Sequence, residues 1–419
     1  MLFVDKAVQP GNTRPITKRI LFVDDEQNIL DGLKRTLHSM RSEWQMAFST
    51  NGKDALQKLE EHEFDVIVSD IRMPGMSGPE LLTEVLKRYP NIVRIVLSGT
   101  VEHDLVLGSA TTAHQYLVKP CDAATLRATL DRALCIREIL VSPRLRALAS
   151  RRTSLPSLPS VYTRLVESLQ NPEISSRELG QIIAQDVGMT AKVLQIANSA
   201  FFGLYRYVAS PAEAVVYLGV DTIKALTLST SVFSAFQQSG LAHGFIEELQ
   251  RHSIATGVVA SIIAKAENAP KKVCDTCLVS GLLHDVGKLV LATECPAEYG
   301  LVLAAVRDGA VACHELERQA LGATHAEVGA YLLWLWGLPD PVCNAVAFHH
   351  RPAESSEAAF AAGTAIHVAD ALEHEMSGPA EGGCRIDLDT NHLTKLGLTD
   401  RLPGWRQISS QYSLKGQQT

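Results

Sequence analysis

Acidic, hydroxyl and basic side chains in the first third of this chain stand directly after short apolar runs. Asp24 and Asp25 follow Ile20–Val23, Asp70 follows Val66–Ser69, Ser98 follows Val93–Leu97 and Lys119 follows Gln115–Val118. If these runs are strands of one parallel sheet, the polar groups at their carboxyl ends meet in one pocket, the arrangement that phosphoryl transfer to a carboxylate requires. Three carboxylates gathered there repel one another unless a hard divalent cation neutralises them. Mg²⁺ suits that role, because it takes oxygen ligands, keeps several waters and leaves a place for a phosphoryl oxygen. Lys119 then supplies a point charge to the incoming phosphoryl group.

A second constellation lies in the last third. Ten of the 14 histidines fall after residue 242, and none falls between 115 and 242. Glu248 and His252 are spaced to share one face of a helix. His284-Asp285-Val286-Gly287-Lys288 follows the apolar run Leu278–Leu283, and then come His325, the pair His349-His350, and Asp370. Imidazoles and carboxylates from several facing helices are how bundles build di-metal sites with an activated water, and Fe, Mn or Zn suit such ligands. Each histidine taken singly reads more readily as a buried core residue bonded to a backbone carbonyl than as a ligand; it is the set that points to metal.

The elements that must position these groups can be read from periodicity. Residues 19–138 alternate apolar runs with amphipathic stretches, as five βα units; that order predicts a parallel sheet covered by helices on both faces. Residues 139–154 are basic, Ser-rich and Pro-punctuated, and read as a linker. Over 155–375 strand-like alternation nearly vanishes and helical periodicity recurs, for example in Thr222–Phe236, Ile246–Glu267, Cys274–Leu283 and Ala358–Glu375. The expectation is a multidomain chain: a tail at 1–18, a five-stranded doubly wound α/β domain, then an all-α domain. A partly disordered extension is expected over 376–419.

The α/β region resembles a response-regulator receiver, on VDDE at 23–26, SDIRMPGMSG at 69–78, LSG at 97–99 and YLVKP at 116–120. The resemblance implies Asp70 as phosphoacceptor, with Asp25 and Asp70 as direct Mg²⁺ ligands, Asp24 assisting and the Arg72 backbone carbonyl completing the shell. It also implies Lys119 as phosphoryl partner and Ser98 with Tyr116 as the switch pair.

Residues 152–352 resemble the HDOD family, on LPSLP at 155–159, IAQDVGMTAKVLQIANSAFFG at 183–203 and AVVYLGVDTIKALTL at 214–228. Within them Asp186 and Thr190 read as helix caps, and Gly188 and Gly203 as turn positions. The order of the later polar residues resembles that of the HD-GYP phosphodiesterases. That resemblance implies ligand positions at Glu248, His252, His284, Asp285, His325, His349, His350 and Asp370, and a phosphate contact at Lys288. The GYP segment itself is absent, since Arg351-Pro352 directly follows the histidine pair.

Composition narrows the rest. A formal charge of −7 and a pI near 6.1 provide no global basic field for nucleic acid. No helix-turn-helix pattern is visible either, so direct nucleic-acid binding is disfavoured. No apolar run appears long enough to cross a bilayer, and the first residues lack a signal-peptide core; a cytoplasmic protein with no membrane partner is expected. The eight cysteines form no zinc-type double pair. The expected partners are a histidine kinase at Asp70 and a signalling protein or nucleotide at the helical domain, with a homodimer left open. On this reading the chain is a phosphorylation-controlled regulator rather than a classical enzyme. The alternative is a phosphorylation-gated, metal-dependent phosphodiesterase.

Overall fold

A computed structural model describes residues 18–89 and 92–99, scattered positions between 113 and 134 that include 115–119, and, apart from short breaks, 160–377 and 387–416. The chain divides into two compact units, Met1–Cys135 and Ile136–Thr419.

The first unit is a five-stranded sheet in the order β2-β1-β3-β4-β5. Its strands are β1 (Lys18–Val23), β2 (Trp44–Ser49), β3 (Val66–Asp70), β4 (Val93–Gly99) and β5 (Gln115–Lys119), all pairing in parallel. Strands covered on both faces read as continuous apolar runs, as Ile20–Val23 and Val66–Val68 do. Connecting helices are α1 (Gln27–Thr36), α2 (Gly52–Glu61) and α3 (Gly78–Arg88). The register sets Val23 beside Ser69, Asp70 beside Leu97 and Gly99 beside Lys119, so the strand ends are flush and their following residues share one rim.

Helix α3 starts at that rim through a capping box between Ser77 and Glu80, with Pro79 in the first turn. Gly78 is required there. A Cβ on it would lie 2.0 Å from the Asp70 carbonyl oxygen, so any side chain would force β3 and α3 apart.

The second unit is helical throughout its described residues. It comprises α4 (Ser160–Ser168), α5 (Ser176–Ala184), α6 (Val187–Ala197), α7 (Pro211–Leu218), α8 (Val220–Phe236), α9 (His243–Ala266), α10 (Lys271–Leu283), α11 (Val286–Glu294), α12 (Pro296–Arg307), α13 (Cys313–Leu321), α14 (His325–Leu335), α15 (Asp340–Phe348), α16 (Ala362–Ser377), α17 (Thr390–Lys395) and α18 (Leu402–Gly416). Asp186 caps α6 as expected, accepting from the Met189 N–H. Thr190 instead reaches back to the Ile183 carbonyl.

Helices α9 and α10 cross at glycines: a Cβ on Gly281 would sit 2.4 Å from the Gly257 Cα. The crossing of α11 and α14 is as tight, since a Cβ on Gly287 would sit 2.0 Å from the His325 carbonyl oxygen. These close approaches hold the polar helix ends of the next section within contact distance.

The structure adds to these expectations in three places. Helix α11 is absent from the periodicity reading; His284 and Asp285 form the junction that leads from α10 into it. Within 376–419, helices α17 and α18 are formed. Leu393, Leu402 and Trp405 are buried in one cluster with Val259, Ile263, Ile366 and Leu372, so these helices complete the hydrophobic core. Finally, Lys271–Glu294 contains an 18-residue window with the mean hydropathy of a membrane-crossing stretch, 1.2, but 83% of that window is buried within the domain. Its apolar character is that of a core helix pair. The linker at 139–154 and Gly203 lie outside the described residues.

Trp405 is 1% exposed and donates its indole N–H to Glu267 at 3.0 Å. Trp405→Ala is expected to destabilise the helical unit by about 3–5 kcal/mol, read from urea denaturation of the full chain. A change under about 1 kcal/mol would show that the extension does not belong to the core.

Candidate functional site

At the strand ends of the sheet, Asp24 and Asp70 are buried, at 2% and 9% exposure. The Lys119 ammonium donates to Asp24 Oδ2 at 2.7 Å and also to Asp70 Oδ1. The remaining carboxylate oxygens are held by backbone: the Glu26 N–H donates to Asp24 Oδ1 at 3.0 Å and the Arg72 N–H to Asp70 Oδ2 at 2.8 Å. Asp25 is exposed and lines a cleft with Ile71, Arg72, Met73, Pro74, Ser77 and Pro79.

Burial pushes the Asp24 carboxyl up from its usual range, Asp70 adding to the shift, even though Lys119 and the Glu26 amide oppose it. Lys119 is held above its usual range; burial acts against this, but the bonds to Asp24 and Asp70 outweigh it. One ammonium thus serves two buried acids, and a third acid stands at the open side. That is a pocket with room in its charge balance for a divalent cation. The side chains of Ser98 and Tyr116, named by sequence as the switch pair, lie outside the described residues; their backbones occupy β4 and β5.

In the helical unit most of the expected ligand residues gather at the ends of helices, and two come from within them. His284 and Asp285 form the junction of α10 and α11, His325 opens α14, and His349 and His350 close α15. His252 comes from α9 and Asp370 from α16. His284, His325 and His349 are completely buried, and Asp285 and Asp370 are 1% exposed. Asp285 places Oδ1 3.1 Å from His325 Nε2 and Oδ2 3.4 Å from His284 Nε2. Asp370 Oδ1 lies 3.0 Å from His252 Nε2 and 3.7 Å from His284 Nε2. Lys288 donates to Asp285 Oδ2 at 2.7 Å. The expected phosphate-contacting ammonium is therefore on the rim of this centre, bound to its carboxylate.

The outer nitrogen of each inner imidazole is fixed by an acceptor. His284 Nδ1 bonds the Gly281 carbonyl at 2.8 Å, His349 Nδ1 the Val346 carbonyl at 2.7 Å, and His325 Nδ1 the Glu317 carboxylate at 2.7 Å. A carbonyl can only accept, so the Nδ1 proton is assigned there and each Nε2 turns inward. His349 Nε2, His350 Nδ1 and Asp370 Oδ2 are buried with no hydrogen-bond partner. Inward lone pairs facing carboxylates, with orphaned ring nitrogens among them, make a donor set that fits divalent transition-metal ions.

Several ligand combinations lie within coordination reach, among them His252–His284–Asp285, His284–His349–Asp370 and His325–His349–His350. Burial holds His349 and His350 well below the usual imidazole range and His252 at about 4, which leaves them as neutral donors. His325 is held at about 9 against burial, above all by Glu317. Asp285 and Asp370 are held well below the carboxylate range although burial opposes it, His284 being the main counter-charge for Asp285 and the bonds from His252 and His284 for Asp370.

Glu248 is not part of this centre. It is exposed on α9 one turn before His252 and belongs to none of the metal-capable groups among the described residues. The helix turns the two apart because a residue four positions away shares a face only approximately, and that face meets solvent at Glu248.

Three residues of the site were not assigned from sequence. His374 lies 3.2 Å from Asp370 Oδ1 and packs edge-on against His252; its i,i+4 spacing from Asp370 was the available signal. His314 stacks on His350 at 4.4 Å. Glu317 lies within a charged run that reads as an exposed face, and nothing local announces its burial.

The folds and their polar centres thus define a two-part chain, an acid-rimmed parallel sheet and a histidine-centred helical domain. Family models agree: residues 20–131 match the response regulator receiver domain and residues 155–352 match the HDOD domain. The chain thus carries a receiver domain fused to an HDOD domain.

A protein of Treponema pallidum is 28% identical over 205 residues, 49% of this chain and 39% of that protein. The hydrogenase transcriptional regulatory protein HoxA of Cupriavidus necator is 38% identical over 103 residues, 24% of this chain and 21% of that protein. The chain therefore spans well under half of the length of these relatives. Among solved structures, an HDOD domain protein of Geobacter sulfurreducens has 24% identity and a TM-score of 0.51, covering 64% of this chain and 93% of its own. The receiver domain of an HD domain-containing protein of Pseudomonas fluorescens has 31% identity and a TM-score of 0.28, covering 29% of this chain and 97% of its own.

Gly287 fixes the approach that brings Asp285 to His325. Gly287→Ala is expected to cost roughly 1–3 kcal/mol of stability through overpacking and to lower metal retention with it. Denaturation and elemental analysis of one preparation check both, and unchanged values in both would mean the crossing yields without disturbing the centre.

Proposed function

We propose that this chain is a two-component response regulator in which Asp70 accepts a phosphoryl group from a partner histidine kinase, and the HDOD domain delivers the output by binding a signalling protein or a nucleotide. The observation that carries the reading is the pair of buried acids, Asp24 and Asp70, bridged by Lys119 beside the exposed Asp25. In the transfer, an Asp70 carboxylate oxygen forms the bond to phosphorus as the kinase's histidine nitrogen leaves, and the Lys119 ammonium follows the charge onto the phosphoryl oxygens. Asp25, Asp70 and the Arg72 carbonyl would hold Mg²⁺, with Asp24 behind them. When bound, it neutralises the carboxylates and orients the phosphoryl oxygen. The acyl phosphate then changes the rim at β4 and β5, where Ser98 and Tyr116 are the switch residues of this proposal.

A second reading has its own support. The inward imidazoles, the orphaned His349 Nε2 and Asp370 Oδ2, and Lys288 on Asp285 are the residues that a metal-dependent phosphohydrolase acting on a cyclic dinucleotide would use. His252, His284, Asp285, His325, His349, His350 and Asp370 would hold the metals, which activate a water when bound. Lys288 and the exposed edge of the centre would meet the phosphate.

Incubation with acetyl phosphate and Mg²⁺ should add one phosphoryl group by intact mass, and Asp70→Asn should add none. Labelling of the Asn variant would overturn the assignment. For the helical centre, protein purified without chelator should hold Fe, Mn or Zn, and chelation should lower its melting temperature, because ligand binding to the folded state alone stabilises it. Metal below about a tenth of an equivalent would remove the phosphohydrolase reading; metal with no turnover of a cyclic dinucleotide would leave a binding module.

A further inference from the structure

Glu317 is a carboxylate that meets the histidine centre from its outer side and has no contact with solvent. Its exposure is zero, and it sits on α13, outside every motif that identifies the domain. Burying a charge in that way is costly unless specific partners hold it. Its partners converge on one residue: Oε2 accepts both the backbone N–H and the Nδ1–H of His325, each at 2.7 Å. Oε1 accepts from the Cys313 thiol at 3.4 Å.

The backbone bond alone would suggest a helix cap, but α14 already has one. Thr324 accepts from the Glu327 N–H, and Glu327 accepts from the Thr324 N–H at 2.9 Å. The bond to Nδ1 is what the cap does not account for. Its effect is geometric. With Nδ1–H tied to Glu317, the ring cannot flip, and Nε2 is aimed at Asp285 Oδ1, 3.1 Å away, and at His350 Nε2, 2.9 Å away. His284 and His349 are oriented by neutral carbonyls. Only His325 among the three inner rings is backed by a full negative charge, which makes it the most basic donor of the set.

We infer that Glu317 is the positioning residue of the centre, fixing the ring of His325 through Nδ1 so that Nε2 is presented as a metal ligand. This rests on the reading of the centre as a metal site; the orientation of the ring does not.

The test compares wild type with Glu317→Gln and His325→Ala as full chains. Zn²⁺ dissociation constants are measured by competition with a chromophoric chelator, and melting temperatures on metal-free protein. Glutamine keeps the size and can still accept one bond, so the metal-free melting temperature should move far less than the affinity. Zn²⁺ affinity should fall ten- to a hundredfold, in the same direction as His325→Ala.

Affinity within threefold of wild type in Glu317→Gln, with His325→Ala strongly impaired, would overturn the positioning role. The third measurement is the imidazole ¹H–¹⁵N spectrum of metal-free protein. The His325 Nδ1 proton should be protected from exchange and shifted far downfield in wild type, and should move upfield in Glu317→Gln, where a neutral amide oxygen replaces the carboxylate. If wild type takes up no Zn²⁺ but shows that proton, the metal reading fails while the ring-fixing contact stands. If the proton is missing from wild type, the inference about Glu317 fails whatever metal is bound.

Discussion

Buried charge needs a counter-charge close at hand, and both polar centres of this chain are answers to that constraint. In the helical domain Asp285 and Asp370 have almost no contact with water. Asp285 is kept ionised by the adjoining His284, by Lys288 and by His325, and Asp370 by His252, His284 and His374. Leaving such a carboxylate unpaired would cost several kcal/mol, so α9, α10, α11, α14 and α16 must bring these side chains to one place for the domain to fold. The glycine crossings of α9 with α10 and of α11 with α14 are what let the backbones come close enough.

The receiver meets the same constraint with a different supply of charge. Its acids sit at strand ends, where a parallel sheet leaves a rim open to solvent. Lys119 crosses that rim to reach both buried acids, whereas Asp25 remains exposed. The helical centre is closed and its donors are nitrogen-rich; the receiver pocket is open and its donors are oxygen. By ligand preference the first suits transition metals and the second suits Mg²⁺. A single chain thus carries two candidate cation sites of opposite character, and the chemistry proposed for each follows from the atoms that line it.

Much of this was legible in the residues. Alternating apolar runs and amphipathic stretches foretold the sheet, and the acids after Val23 and Ser69 foretold its rim, because a strand's side chains and its end are fixed by local periodicity. Histidine clustering pointed to the right helices. Legibility failed where a residue's role depended on a neighbour distant in sequence. Glu248 has the spacing of a ligand yet faces solvent, and Glu317 has the surroundings of a surface residue yet is wholly buried. Helix α11 is absent from the periodicity reading, and Gly287 near its start has its reason only in α14, which is pressed against it.

The sequence by itself determined the two-domain order, the parallel sheet, the acids and lysine at its strand ends, and the imidazole–carboxylate stock of the helical half. These follow from periodicity and residue chemistry, which act over a few positions. Only the tertiary structure decided which histidines turn Nε2 inward, that Glu317 rather than Glu248 joins them, and that the carboxyl-terminal helices close the core with Trp405. Those outcomes depend on which helix faces cross, and a crossing is set by side chains distant in sequence packing at once.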